Sequence, residues 1–87
     1  MNESKITLYY LTWLERNLGR ASETISLSDR ICTVDDVLDH LQARGGAYDI
    51  FSRRHVIFAN IDNAIVPHAH ALSGVKSISF FSPIVGG

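Results

Sequence analysis

The chain has 87 residues, of which 46% are hydrophobic and 20% charged, and its formal net charge is −1. This length suits one domain and excludes large catalytic architectures such as a TIM barrel. The near-neutral charge excludes the basic surface expected of a dedicated nucleic-acid-binding protein.

Cysteine content and the N-terminal residues bear on the cellular compartment. The single cysteine, Cys32, can form no internal disulfide, which is typical of a reducing environment. The first residues lack the basic and then apolar pattern of a secretion signal. No apolar run approaches the roughly 20 residues that a membrane-spanning helix needs. We therefore expect a cytoplasmic protein with no membrane association.

The first half of the chain predicts two strands and two helices. Alternating apolar residues predict a strand over 5–10, and a leucine spacing of three and four residues predicts a short helix over 11–18. A second alternating run predicts a strand over 24–27. The clearest helix is predicted over 33–44, where Thr33 serves as the N-cap and an apolar stripe follows.

The second half of the chain is predicted to be mostly strand. A short helical turn precedes three strands, and the four elements are predicted over 48–51, 55–61, 64–66 and 75–81. Strands accompanied by one substantial helix indicate an α+β fold, in which the helix covers one face of a mixed sheet of about five strands. We expect the N-terminal and C-terminal strands to pair in parallel, with the hairpins flanking them.

The end of the chain carries the most specific motif. Residues 80–87 read Phe-Phe-Ser-Pro-Ile-Val-Gly-Gly. This segment resembles the C-terminus of the MoaD family, the small subunits of molybdopterin synthase in the wider MoaD/ThiS family, and the strand and helix of residues 6–19 are also similar. The resemblance implies a ubiquitin-like β-grasp fold, with a β-grasp domain over 1–81 and a flexible Gly-Gly tail over 82–87. Ser82 stands where that family usually has a proline.

A sulfur-carrier function is what this resemblance implies. The carboxylate of Gly87 would be adenylated by an ATP-using, ubiquitin-activating-type enzyme (MoeB-like) and then converted to a thiocarboxylate. The tail, with Gly86 as its thin neck, would enter a MoaE-like large subunit and donate sulfur to cyclic pyranopterin monophosphate. The chain itself would be a non-catalytic subunit with no bound cofactor or metal. The residues expected to contact the partner are Phe81, Pro83, Ile84 and Val85.

Two other functions use the same chain end. A ThiS-like carrier would deliver sulfur to thiazole synthesis instead. A ubiquitin-like conjugation module would join Gly87 to a lysine through an isopeptide bond, and a plain interaction domain would carry the Gly-Gly pair only incidentally. Removing Gly86 and Gly87 distinguishes the carrier from the plain interaction domain.

Other residues with chemical potential are better interpreted as structural. His68 and His70 lack the third protein ligand that a catalytic zinc needs. Cys32, a lone thiol ahead of a helix, is expected to be a packed small residue. Gly45 and Gly46 are expected to end the main helix. Arg53 and Arg54 are expected to form a solvated turn or a partner contact.

Overall fold

The computed structural model describes residues 4–83. Within that range the chain forms five strands, two α-helices and two short 3-10 helices. The strands are β1 (Ser4–Tyr10), β2 (Ser22–Leu27), β3 (Phe58–Ile61), β4 (Ala64–Val66) and β5 (Ser77–Phe81). The helices are α1 (Trp13–Leu18) and α2 (Val34–Gln42), and the 3-10 helices span Gly46–Ser52 and Arg54–Val56.

The strands form one mixed sheet in the order β2-β1-β5-β3-β4. β1 and β5 pair in parallel, with Thr7 opposite Ser77 and Tyr10 opposite Phe80. All other pairs are antiparallel. This confirms the predicted α+β architecture, including the parallel pairing of the first and last strands between two hairpins.

The hydrophobic core lies between one face of this sheet and α2. Ile6, Leu8 and Tyr10 alternate inward along β1, as the sequence pattern predicts. The four apolar residues of the α2 stripe are all completely buried, and each such burial contributes about 1.5–3 kcal/mol. They are Val34, Val37, Leu38 and Leu41.

The start of α2 is fixed by a capping box. The Thr33 hydroxyl accepts a hydrogen bond from the Asp36 N–H at 3.2 Å, and the Asp36 carboxylate accepts from the Thr33 N–H at 3.1 Å. The carboxylate also accepts from the Cys32 N–H at 2.9 Å. These backbone hydrogen bonds, the one from Cys32 foremost, lower the pKa of Asp36. The predicted role of Thr33 is confirmed.

The loop between β4 and β5 closes over the same helix end. The carbonyl oxygens of His68 and His70 accept from the N–H groups of Asp35 and Val34, at 2.8 and 3.1 Å. The N–H groups in the first turn of a helix have no hydrogen-bond acceptor within that helix. The loop supplies acceptors for two of them and thereby ties α2 to the strand that precedes the tail.

Several predicted boundaries are wrong, each for a local reason. Helix α1 begins at Trp13 instead of residue 11, because Thr12 has a φ of 54° that a helix does not allow. The strand predicted over 55–61 begins only at Phe58, since residues 54–56 form a 3-10 turn. Helix α2 ends at Gln42 and β5 begins at Ser77, each two residues inside the predicted limit.

Candidate functional site

The tail leaves the domain from the middle of the sheet. β5 is hydrogen-bonded to β1 on one side and to β3 on the other, and its last residue is Phe81. The Leu11 N–H extends the parallel ladder by donating to the Phe80 carbonyl oxygen at 3.0 Å. A central strand is held on both edges, so the position from which the tail starts is fixed by the fold.

The two phenylalanines at the end of β5 face opposite sides of the sheet. Phe80 is completely buried and meets the ring of Phe51 edge-on, with centroids 5.9 Å apart. Phe81 lies on the outer face, where it stacks on Phe58 with centroids 5.6 Å apart. The next residue, Ser82, is still buried, and Pro83 is exposed. The predicted site residues Ile84, Val85, Gly86 and Gly87 lie outside the described residues.

The outer face of the sheet carries an exposed apolar surface beside Phe81. Tyr9 and Ile65, 44% and 62% exposed, lie in one cross-strand row that runs through Ser79 and Asn60. We call the apolar members of this face, Tyr9, Phe58, Ile65 and Phe81, the outer patch. Leu11, 39% exposed, follows β1 at the same end of the sheet. Exposed apolar patches of this kind mark surfaces that bind other proteins.

A polar cluster around Glu23, on the edge strand β2, has a structural role. The Glu23 carboxylate, with its side chain 10% exposed, accepts hydrogen bonds from the Tyr10 hydroxyl at 2.7 Å and the Tyr48 hydroxyl at 3.2 Å. The Arg44 guanidinium donates to it at 2.8 Å and stacks over the Tyr48 ring. All these donors are used inside the fold, so the cluster joins β2 to the segment after α2.

The pKa shifts in this cluster follow from burial and hydrogen bonding. Burial opposes ionisation of Glu23, but the hydrogen bonds from Tyr10 and Arg44 outweigh it and lower the pKa of the carboxyl. Burial and the neighbouring carboxylate raise the pKa of Tyr10 far above its ordinary value. Burial opposes the charge on Arg44 as well, yet its pairing with Glu23 raises its pKa. Both charges are therefore retained over the whole neutral range.

The two candidate histidines bind backbone oxygens. Nε2 of His68 lies 2.8 Å from the Ile57 carbonyl oxygen, and Nδ1 of His70 lies 2.7 Å from that of Ala71. Residues 4–83 contain no group of three side chains able to hold a metal ion. The same described range contains no helix long and apolar enough to cross a membrane.

The remaining candidates differ in part from expectation. Cys32 is exposed, which contradicts its predicted packing, and its thiol donates to the Asp29 carbonyl oxygen at 3.2 Å. Arg53 is exposed, as predicted, but Arg54 is not simply solvated, because its guanidinium binds the carboxylates of Asp35 and Asp39 on α2. Gly45 has a φ of 73° and turns the chain after α2, as predicted.

The outer patch is the feature that the sequence interpretation missed. Its signal was present in β1, where Tyr9 lies between the inward-facing Leu8 and Tyr10 and must therefore face outward. The predicted helix over 11–18 includes Leu11, whereas this residue precedes α1 and is exposed. The outward position of Ile65 follows only from its pairing with Asn60, which the sequence does not specify.

Comparison with known proteins gives a family and a fold. The profile of the ThiS family matches residues 9–87. A search of curated proteins finds no match. The crystal structure of SAMP1 from Haloferax volcanii is similar, with a TM-score of 0.71 and 18% identity over 97% of this chain and 100% of that one.

Two further solved structures have the same fold. The putative molybdopterin converting factor, subunit 1, from Pyrococcus furiosus has a TM-score of 0.70 and 15% identity, over 93% of this chain and 99% of that chain. The Haloferax volcanii HVO 2177 protein has a TM-score of 0.69 and 22% identity, over 98% and 88%. These likenesses confirm the ubiquitin-like β-grasp fold. Since the family profile covers nearly the whole sequence, the chain belongs to the ThiS family.

Proposed function

We propose that this chain is the small, sulfur-carrying subunit of a molybdopterin synthase. The observation that carries the proposal is the family match, which extends to the Gly86-Gly87 end of the chain. The aromatic and proline residues that precede this pair favour a MoaD-type carrier over a ThiS-type one. A protein of the same fold is described as a putative molybdopterin converting factor subunit, which agrees with this assignment.

The proposed chemistry takes place at the carboxyl group of Gly87. A carboxylate is a poor acylating group, so a MoeB-like enzyme first joins it to AMP from ATP and releases pyrophosphate. Sulfide then displaces AMP and leaves a thiocarboxylate. In the MoaE-like large subunit its sulfur attacks a carbon of cyclic pyranopterin monophosphate and displaces an oxygen substituent from that carbon. Water then cleaves the acyl–sulfur bond, which leaves the sulfur on the pterin as a thiol and restores the carboxylate of Gly87. ATP is thus consumed by the activating enzyme, and the carrier contributes no catalytic side chain.

The residue types of the tail suit insertion into an enzyme channel. Gly86 and Gly87 have no Cβ atoms, so a narrow channel can close around their backbone. Ordering a flexible chain end costs about 1–2 kcal/mol per residue. Pro83 reduces this cost because its ring already fixes φ. Ile84 and Val85 offset part of the remainder by burying apolar side chains in the partner.

The outer patch is the surface on which these partners would dock. It includes Phe81, the last strand residue before the tail, so a protein bound to the patch also receives the tail. Activation and sulfur transfer require different enzymes. If both use the outer patch, they must bind in turn, and the carrier is released after each step.

A second candidate function is protein modification. The similarly folded SAMP1 proteins are described as small archaeal modifier proteins, from Haloferax volcanii and Methanosarcina acetivorans. In that function the Gly87 adenylate would react with a lysine amino group, and AMP would leave as the isopeptide bond forms. Both functions begin with the same activated carboxyl group and differ in the nucleophile that displaces AMP.

Intact mass spectrometry of the protein purified from its own cells tests the proposal. The expected species has one oxygen replaced by sulfur, mapped to Gly87. A variant without Gly86 and Gly87 should lack this species and fail to support molybdoenzyme activity, while Ser73→Ala, at an exposed position at the other end of the sheet, should form it. Only the free carboxylate, even after incubation with ATP, sulfide and the activating enzyme, would exclude a sulfur carrier. Isopeptide remnants of the tail on lysines would favour the modifier.

A further inference from the structure

A groove lies at the end of the sheet opposite the tail. It is open, has a volume of about 990 Å³, and is bounded by the start of β1, the end of β2 and the segment before β5. Because β1 and β5 are parallel, their first residues share this end, and the tail leaves from the other end. The proposed sulfur chemistry makes no use of this groove.

The groove combines apolar walls with the only two lysines of the chain. Its apolar side chains include those of Leu27, Ile31 and Val75, which are half-buried. Lys5 and Lys76 also line it, and both are exposed. Asp29 adds one negative charge, so the charged side chains of the lining give a net charge of +1, from two lysines and one aspartate. A short apolar peptide that ends in a carboxylate fits this chemistry.

We propose that this groove binds the C-terminal segment of a second copy of the chain. Residues 84–87 have the matching composition: two β-branched apolar residues, then Gly-Gly and the carboxylate. The apolar pair would contact the groove walls, and the carboxylate would lie near Lys5 and Lys76. This binding depends on the proposed function in one respect, the free carboxylate of Gly87.

The occupant is another copy because a chain's own tail is too short. Five strand rises of about 3.3 Å place Lys76 roughly 17 Å from Phe81. The four residue steps from Phe81 to Val85 span at most about 14 Å when extended. Ile84 and Val85 therefore cannot reach the groove walls beside Lys76 of the same chain. A contact between the tail of one copy and the groove of the next joins two different surfaces, so it is heterologous. Such a contact builds open linear assemblies whose length depends on protein concentration.

This contact would withhold the tail from enzymes. A carboxyl group bound in the groove of a neighbouring copy is unavailable for adenylation. Dilution of the protein, or binding of a partner to the outer patch, would release it. Self-association would therefore be a reversible store of the carrier. Only the terminal copy in each linear assembly would present a free tail.

The test adds an unlabelled peptide with the sequence of residues 82–87 to the ¹⁵N-labelled full-length protein. We expect amide shifts at Lys5, Leu27 and Val75, and binding at least tenfold weaker when the peptide ends in an amide. The double variant Lys5→Glu/Lys76→Glu should weaken binding by at least tenfold and abolish self-association in sedimentation. The control Arg16→Glu/Arg53→Glu reverses two exposed charges at the other end of the domain and should change neither.

Other outcomes would overturn the proposal. Shifts at the outer patch, or no shifts at all, would exclude the groove as the binding site. Equal binding of the acid and amide peptides would exclude the carboxylate–lysine contact. The intact mass at Gly87 tests the carrier function separately, so either result can fail without the other.

Discussion

Phe58 and Phe81 lie directly opposite each other on β3 and β5, with ring centroids 5.6 Å apart and planes inclined by 25°. The pair is the point at which the sheet ends and the tail begins. Aromatic pairs contribute about 0.5–1.5 kcal/mol beyond the area they bury. Phe58 therefore helps to hold the start of the tail, although the two residues are far apart in sequence.

Replacing Phe58 by alanine should loosen the start of the tail more than the rest of the domain. We expect Phe58→Ala to lower the free energy of unfolding by about 1–3 kcal/mol, because a half-buried ring and its stacking partner are lost. Hydrogen exchange at the Phe81 and Ser82 amides should accelerate more than at Tyr10. Phe58→Leu serves as the control that keeps apolar bulk. Equal acceleration at all three amides would show that Phe58 stabilises the domain only globally.

Ile65 is the best position to separate binding from folding. Its side chain is 62% exposed, so Ile65→Asp should change the free energy of unfolding by no more than about 0.5 kcal/mol. Affinity for the proposed activating enzyme or large subunit should fall at least tenfold, because a charge would be buried in an apolar interface. Calorimetric titration measures this. Ser77→Asp places the same charge on the same face at the far end of β5 and should retain affinity.

The sequence was sufficient for the architecture because its strongest signals are local. The alternation of Ile6, Leu8 and Tyr10 predicted the inner face of β1, and Thr33 was predicted as the N-cap that begins α2. The family resemblance, which rested mainly on the last eight residues, agrees with the fold that the structure and its relatives show.

What the sequence could not supply depends on contacts between distant residues. Residues 55–57 read as strand, but the salt bridges of Arg54 with Asp35 and Asp39 hold the neighbouring turn against α2. The position of Glu23 among two tyrosines and Arg44 likewise joins separate elements, and no local pattern encodes it. The outer patch requires the strand register, because pairing places Ile65 on the outer face.

The Glu23 cluster predicts a loss of stability in acid. The folded state lowers the pKa of Glu23 below its ordinary value of 4.5, so its stabilising contribution is complete above that pH. It is lost as the pH falls through the lower, folded-state pKa. At pH 7 we expect Glu23→Gln to cost about 1–3 kcal/mol, because a charged acceptor of three donors is lost.

The difference between wild type and Glu23→Gln should therefore shrink as the pH falls below 4.5. Urea unfolding of both proteins at neutral and acidic pH measures it. Taking the difference removes the contribution of Asp36, because this residue is unchanged and contributes equally to both proteins. The control is Glu15→Gln, an exposed residue of α1. If Glu23→Gln lowers the free energy of unfolding by the same amount at every pH, the charge of the carboxylate makes no contribution.

Phe51 is the residue whose loss should damage the domain most. It is completely buried, and its ring lies 6.0 Å from Tyr10, 6.3 Å from Tyr48 and 5.9 Å from Phe80, centroid to centroid. Replacing a buried phenylalanine by alanine costs about 3–5 kcal/mol, from lost apolar contact and the remaining cavity. A domain of this length has a total stability of about 4–13 kcal/mol, so Phe51→Ala should remove a large part of it.

A graded substitution keeps this prediction testable if the alanine variant does not fold. Phe51→Leu retains most of the volume and should cost less than about half as much in urea unfolding. Because Phe80 precedes the last strand residue, the loss of its aromatic neighbour should also accelerate amide exchange in β5 in the leucine variant. A cost below about 1 kcal/mol for Phe51→Ala would show that this ring does not organise the core between α2 and the strand that carries the tail.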